Sequence, residues 1–310
     1  MRTQYPNNKH YLTFDTAMKQ RFGHKMIKLC LNAGFTCPNR DGTAGTGGCI
    51  YCTASGSGDF AGNPSTSITE QLTAESMRMK NKWPDEHYIA YFQANTNTYT
   101  PPERLYALCR EAMSFPGVEA IAIATRPDCL PREIIDCLIK IAEEIPLFVE
   151  LGLQTVFDET ASRIHRGYPF SVFLSGYEAL KAAGIPVTVH LINGFPWESE
   201  ERMLASAKTV AALLPFGVKL HMLHVMEQTP LAALYQKKPF PLLSKEDYVS
   251  LVCRQIALFS PDTVIERLTG DGDRNHLIAP RWTTDKRGVL AAIDNYFRDH
   301  DLFQGDHFSV

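Results

Sequence analysis

Six short apolar runs, each set between helix-patterned segments, constrain this 310-residue chain more than any other feature. They are KMIKLCL (25–31), HYIAYFQ (87–93), VEAIAIAT (118–125), PLFVELGLQ (146–154), IPVTVHLIN (185–193) and GVKLHMLHV (217–225). Most are near-continuously apolar, which is the pattern of strands covered on both faces. Their alternation with helical spacing implies parallel strands joined by helical crossovers. Ser67-Ile68-Thr69-Glu70 and Thr100-Pro101-Pro102-Glu103 both fit a capping box, the second with Pro at the first helical position. Residues 130–144, 169–184 and 198–214 follow with helical spacing, and Gly184 makes a natural helix stop. A sixth crossover helix is expected over 244–260, then a short apolar run, DTVIERL, and a last helix near 284–300.

Six βα units predict an α/β fold, a partial (β/α)6 barrel, since a closed eight-unit barrel needs two further strand signals. No repeat or low-complexity linker interrupts the pattern, so the chain reads as one domain. Its expected parts are an N-terminal extension (1–24), a core barrel (25–260) containing a loop over 32–60, and a C-terminal extension (261–310) packed on the barrel.

Hydrophobic residues at 45% and charged residues at 21% give the balance of a soluble globular chain. A formal charge of −3 supplies no global attraction for nucleic acid, so any RNA contact has to come from a local basic patch. The N-terminal residues carry no apolar signal segment, and no run approaches the roughly 18 apolar residues of a membrane helix. A cytoplasmic location with no membrane partner is expected. Eight cysteines are too few for a disulfide scaffold, and four of them, Cys30, Cys37, Cys49 and Cys52, fall within 23 residues. Cys109, Cys129, Cys137 and Cys253 are scattered and read as small buried hydrophobes.

The segment CPNRDGTAGTGGCIYC sets Cys37, Cys49 and Cys52 in a C-x11-C-x2-C arrangement directly after the first predicted strand, at the end where a barrel's active site lies. Gly42, Gly45, Gly47 and Gly48 allow the loop to fold tightly about a bound group. A closed structural zinc site needs four ligands, and a fourth is hard to find here. Cys30, on the first strand, could serve only by pointing to the barrel mouth. Three thiolates and one open position suit an iron–sulfur cluster with one differentiated iron. On spacing alone this reading leads, with zinc second and unligated thiols third.

With Tyr51 just before the last cysteine, this stretch resembles the cluster loop of the radical S-adenosylmethionine (AdoMet) superfamily, nearest its Elongator catalytic-subunit branch. GFTCPNRDGTAGTGGCIYC, AYFQANTNTY, IATRPDCLP, VELGLQT and GVKLHMLHV together resemble the bacterial YhcC/YtqA family, over nearly the whole chain. The resemblance implies a [4Fe-4S] cluster on Cys37, Cys49 and Cys52. It further implies AdoMet on the fourth iron, cleaved to a 5′-deoxyadenosyl radical, and an external electron donor such as flavodoxin or ferredoxin. Tyr51 then flanks the cofactor. Gln93, Asn95 and Thr96 stand where the superfamily carries a Gly-Gly-Glu-like motif for the α-amine, here without its acidic residue. Glu150 and Gln154, four apart on one strand, are expected on one face, where a carboxylate suits the ribose diol. Arg163 and Arg166 are expected at the AdoMet carboxylate and Asn193-Gly194 at adenine, with His190 facing the same cavity. Lys219 and His221 share a face of the sixth strand. Thr125-Arg126-Pro127-Asp128 either contacts substrate or stabilises its loop. The tail from Arg267 to Arg287, with Asp271, Asp273, His276 and Trp282 interleaved, either meets phosphate and a stacked base or closes the barrel. The implied substrate is a tRNA wobble uridine, modified on its C5 side chain, for example from carboxymethylaminomethyl to aminomethyl. Two other readings stay open: a radical enzyme acting on a small metabolite, and a non-catalytic iron–sulfur or zinc protein that binds RNA or a partner.

Overall fold

A computed structural model describes residues 2–56, 58, 61–270 and 272–309. Ser57, Asp59 and Phe60 of the cysteine loop and Asp271 of the tail lie outside the described residues. All six apolar runs form strands: β1 (Ile27–Leu31), β2 (Tyr88–Phe92), β3 (Val118–Thr125), β4 (Leu147–Gln154), β5 (Val187–Asn193) and β6 (Gly217–Met222). A two-residue strand β7 (Val225–Met226) follows, then β8 (Val264–Arg267) and β9 (Leu277–Ala279). The main sheet has the order β1-β2-β3-β4-β5-β6-β8, parallel throughout, while β7 and β9 make a separate antiparallel pair. The sheet therefore has seven strands where the sequence pattern predicts six. DTVIERL is the seventh, and its four-residue strand is too short for periodicity to separate it from a loop. A boundary at 260 consequently falls short of the sheet's last strand.

The crossovers are α2 (Ile68–Lys80), α3 (Pro102–Met113), α4 (Arg132–Glu144), α6 (Phe170–Ala182), α7 (Glu200–Ala212) and α9 (Lys245–Leu258). Helix α1 (Phe14–Phe22) precedes the sheet and α10 (Lys286–Asp299) follows it, while the short α5 (Asp158–Arg163) and α8 (Pro230–Lys237) lie in connections. Ser67 and Glu70 form the expected capping box at α2. The box expected at Thr100 does not form: α3 starts one residue later with Pro101 at its cap, and Thr100 Oγ1 is buried without a partner among the described residues.

The outward face of the strands is apolar, and so is part of the inward face. Leu29, Phe92, Ile123, Val149, Leu191 and Leu220 point outward into one core shared with the helices. The alternate residues Ile89, Ala120, Ala122 and Phe148 point inward, where Ala17 and Met18 of α1 meet them. Met18 is fully buried there, and a methionine so placed contributes roughly 1.5–3 kcal/mol. Helix α1 thus fills one end of the barrel with apolar side chains, and the interior opens at the C-terminal ends of the strands. The edge strands β1 and β8 make no ladder with each other, which leaves a curled half-barrel with a lateral seam.

Candidate active site

The three loop cysteines line one cavity of about 280 Å3 at the C-terminal ends of the strands. Gly48, at φ +81°, lets the backbone turn back so that its amide donates to Asn39 O at 2.8 Å. Asn39 Nδ2 stands 3.6 Å from Cys49 Sγ. Arg40 Nη1 ties the loop to Ala54 O at 2.8 Å. The Cys49 thiol is pushed down to about 6, chiefly by a hydrogen bond from Cys52; burial opposes this, and Arg126, Tyr51 and Asn39 add to it. A thiol with that environment is a ready metal ligand. Among the described residues, the group of His, Cys, Asp or Glu side chains that converges within 4.8 Å is His24, His87 and Glu119, at the far end of the barrel. The three loop thiols are not a group that converges in this way. Cys30 faces a different cavity, so the loop cysteines have three sulfurs and no fourth. Three cavity-facing thiols fit a cluster with one open iron better than a closed four-ligand zinc site.

Arg126 is fixed by Asp128 at 2.9 and 2.6 Å and by Arg166 O at 2.9 Å, so the Thr125–Asp128 segment stabilises its loop and holds a cation beside the thiols. Below them lies a charged layer, centred on Glu150, which is 1% exposed. Its Oε1 accepts from Lys28 Nζ at 2.7 Å, and its Oε2 accepts from Lys219, from Tyr91 and from His190 Nε2 at 3.0 Å. Lys28 also reaches Glu266 Oε2 at 2.7 Å. Burial alone would raise the Glu150 carboxyl, but the ammonium groups of Lys219 and Lys28 hold it well below the usual carboxylate range. Burial pushes Lys219 down to about 8, against the pull of Glu150.

Of the residues expected at the cofactor, Tyr51, Gln93, Asn95, Thr96, Glu150, Gln154, Arg166 and His190 line this cavity. Several have roles other than those expected. Glu150 already takes four donors from the protein itself, three on Oε2 and one on Oε1, so it anchors the charged layer. Glu150 and Gln154 share the cavity face, as the strand alternation predicts, although the register with β5 shifts between Gly152 and Gln154. Gln154 sits at φ +67°, a conformation non-glycine residues seldom adopt, and its Oε1 is buried without a partner among the described residues. That strained, unsatisfied amide is the group ready for a ligand. Arg166 is fully buried and directs its donors to Leu153 O, Thr155 O and Tyr168 O at 2.7, 2.6 and 3.0 Å, so it braces the β4–α5 connection. Arg163 lies outside the cavity, exposed, paired with Glu159 one helical turn away at 2.8 Å. Asn193 and Gly194 also lie outside. The Asn193 amide is paired reciprocally with Gln255 at 2.8 and 2.9 Å, which locks β5 to α9, and Ile192 lines the cavity in their place. His221, His224, Met222 and Arg267 line it as well. Inward alternation on β6 signals His221, whereas His224 and Arg267 come from loops or strand ends that periodicity does not reach.

The Radical SAM superfamily model matches residues 37–210, and the Radical_SAM C-terminal domain model matches residues 215–299. YtqA of Bacillus subtilis is 43% identical over 300 residues, covering 97% of this chain and 93% of that protein. A shorter stretch is 26% identical over 136 residues to a tRNA uridine(34) acetyltransferase of Methanocaldococcus infernus, covering 43% of this chain and 25% of that protein. The structure of Methanocaldococcus infernus Elp3 superposes with a TM-score of 0.68 at 16% identity, over 89% of this chain and 63% of that one, so the half-barrel is the shared fold. No described helix is long and apolar enough to cross a membrane. With more than half the chain matched and the three cysteines gathered at the mouth of such a half-barrel, this protein belongs to the radical SAM superfamily, whose enzymes work with a [4Fe-4S] cluster and S-adenosylmethionine.

Proposed function

We propose that the enzyme modifies the C5 side chain of a tRNA wobble uridine, for example by converting carboxymethylaminomethyl to aminomethyl, in the cytoplasm and with flavodoxin or ferredoxin as electron donor. The observation that carries this reading is the pairing of an Elp3-like half-barrel with a sequence match to a protein that acts on tRNA uridine 34.

When bound, the cluster and AdoMet supply hydrogen-atom abstraction by a carbon-centred radical. Cys37, Cys49 and Cys52 would hold the cluster, with Arg126 offsetting its negative charge. The orphaned Gln154 Oε1 would accept from an amine or ribose hydroxyl of AdoMet, and Gln93, Asn95 and Thr96 line the same cavity just past the end of β2. Tyr51, half-buried beside Phe195 with ring centroids 6.1 Å apart, would shield one side of the cofactor from water. Lys219 Nζ, pushed down to about 8, is placed to take up or return a proton at the floor of the cavity. Its hold on Glu150 keeps the ammonium in one position.

Two measurements test the reading. Anaerobically reconstituted protein, given dithionite and AdoMet, should release 5′-deoxyadenosine, and Cys49→Ala should abolish the release. Mass spectrometry of tRNA nucleosides from cells with and without the gene should differ at the wobble uridine; matching profiles sink the substrate assignment.

A further inference from the structure

Three side chains of metal-ligand type meet where the plug helix α1 turns into the sheet, at the end of the barrel away from the cysteines. Helix α1 stops at Gly23, which takes φ +83°, and His24 follows it ahead of β1. His87 stands immediately before β2, and Glu119 is the second residue of β3. Ladder bonds fix the backbone around them: Ile27 N donates to His87 O at 2.9 Å, and Tyr88 N donates to Gly117 O at 2.7 Å. The register between β2 and β3 shifts at this point, with Tyr88 opposite Val118 and Ile89 opposite Ala120. Glu119 is thus the extra residue of a bulge, a device that re-aims a side chain.

The three ligand atoms lie within 4.8 Å of one another. His24 Nε2 is 2.9 Å from Glu119 Oε2, and His87 Nδ1 contacts Glu119 Oε1, so each imidazole holds one oxygen of the same carboxylate. Among the described residues, the ion pairs of Glu119 are with these two rings. Lys25, next to His24, directs its ammonium over the Trp83 ring at 3.1 Å. The side chains of His24 and Glu119 are 33% exposed and that of His87 38%, which gives an ion a way in from solvent and water a place beside it. None of the three lines the cysteine-lined cavity, and Ile89 and Ala120 begin the apolar packing around α1 that separates the two places.

Two imidazole nitrogens, one carboxylate oxygen and room for water form a donor set for zinc, with cobalt and nickel as its chemical relatives. The site is empty. Its rings stack with centroids 3.6 Å apart at 22°. A metal lies in the plane of each imidazole that binds it, so one ring has to turn about its Cβ–Cγ bond before both face one ion. That torsion has a broad profile, and a partly exposed ring has space to use it. As a hydrogen-bonded triad alone, such exposed pairs add little stability. A metal shared by three strand starts adds a cross-link.

We propose that His24, His87 and Glu119 bind one divalent transition-metal ion, zinc by its donor set, as a clip at the plugged end of the barrel. The clip joins the α1–β1 turn to β2 and β3. Strand β1 is an edge of the sheet with β2 as its neighbour and no ladder to β8, so a second tie holds the strand that has the fewest.

The test uses the full chain without a polyhistidine tag and with its cluster reconstituted anaerobically, so that the loop cysteines are engaged. Zinc sulfate is titrated by calorimetry and by thermal unfolding. One equivalent should bind, and zinc at a hundredfold excess over its Kd should raise Tm by about 4 °C. His24→Gln and His87→Gln should each weaken binding at least tenfold and lose the rise in Tm. Both side chains are partly exposed, so the zinc-free variants should melt close to the parent, which separates loss of a ligand from loss of the fold. X-ray absorption at the zinc edge of the loaded parent reads the ligands directly, with no signal from the iron and no need of a variant. It should show imidazole nitrogen and oxygen at about 2.0–2.1 Å. Absence of zinc binding, a sulfur shell at about 2.3 Å, or binding that persists in both histidine variants overturns the clip.

Discussion

Glu150→Gln keeps the shape of a buried side chain and removes one charge from the centre of the barrel. In the parent, Lys28 and Lys219 share this carboxylate, at 2.7 Å for Lys28, and its side chain is wholly buried. After the change Lys28 retains Glu266 at 2.7 Å, but Lys219 is left with Glu266 at 4.0 Å and with the Tyr91 hydroxyl at 3.5 Å. Removing one partner of a buried ion pair costs about 3–5 kcal/mol, because the remaining charge stays out of water. For a chain of this size about 1 kcal/mol moves Tm by roughly 2 °C, so the variant should unfold some 6–10 °C below the parent. Differential scanning calorimetry with and without Lys219→Met completes a double-mutant cycle. The second change removes the stranded ammonium, so the double variant should recover part of the loss, giving a coupling of at least about 1 kcal/mol. A Glu150→Gln protein that melts within about 2 °C of the parent, or a cycle whose two effects simply add, would falsify the claim that this network is held by charge.

Other expectations follow from the same geometry. Cys30→Ser should keep the visible absorption and iron content of the reconstituted protein, and Cys37→Ser should lose both, because Cys30 faces the seam and not the loop cysteines. Gln154→Leu, which removes the orphaned acceptor, should weaken AdoMet binding several-fold by isothermal titration while leaving iron content unchanged. His190, His221 and His224 all have lowered pKa values with burial as the main cause, His224 to about 4. Between about pH 4 and 6.5 the unfolded chain binds the proton that folded His224 refuses, so stability is full above that window and falls as pH drops through it. By pH 5 His224 alone accounts for about 2 kcal/mol, and His224→Asn should flatten the decline of Tm measured between pH 7 and 5.

Much of the architecture was legible in the strand runs because most are near-continuously apolar, and that is a local property of the sequence. Three cysteines and four glycines in sixteen residues made the loop legible for the same reason. What stayed hidden depended on distance through space. Glu150 reads in sequence as a lone carboxylate in an apolar strand and therefore as a ligand; its four partners come from β1, β2, β5 and β6. Asn193 reads as an open strand end, yet Gln255 from α9, 62 positions away, occupies its amide. Arg163 and Arg166 look alike in RIHRG, but one faces solvent and the other is entirely enclosed, because the chain turns at His165 with φ +54° between them.

The open seam explains why a costly charged layer sits inside this barrel at all. A closed barrel joins its first and last strands by a ladder of backbone hydrogen bonds; here β1 and β8 have none between them. Lys28, on β1, reaches Glu266 on β8 and Glu150 on β4, so one ammonium spans the gap and also ties it to the middle of the sheet. Thr188 of β5 donates to Glu266 as well, which extends the connection across the sheet. An apolar contact could not do this without filling the seam, whereas a long side chain with a charged tip bridges it and leaves the space above free.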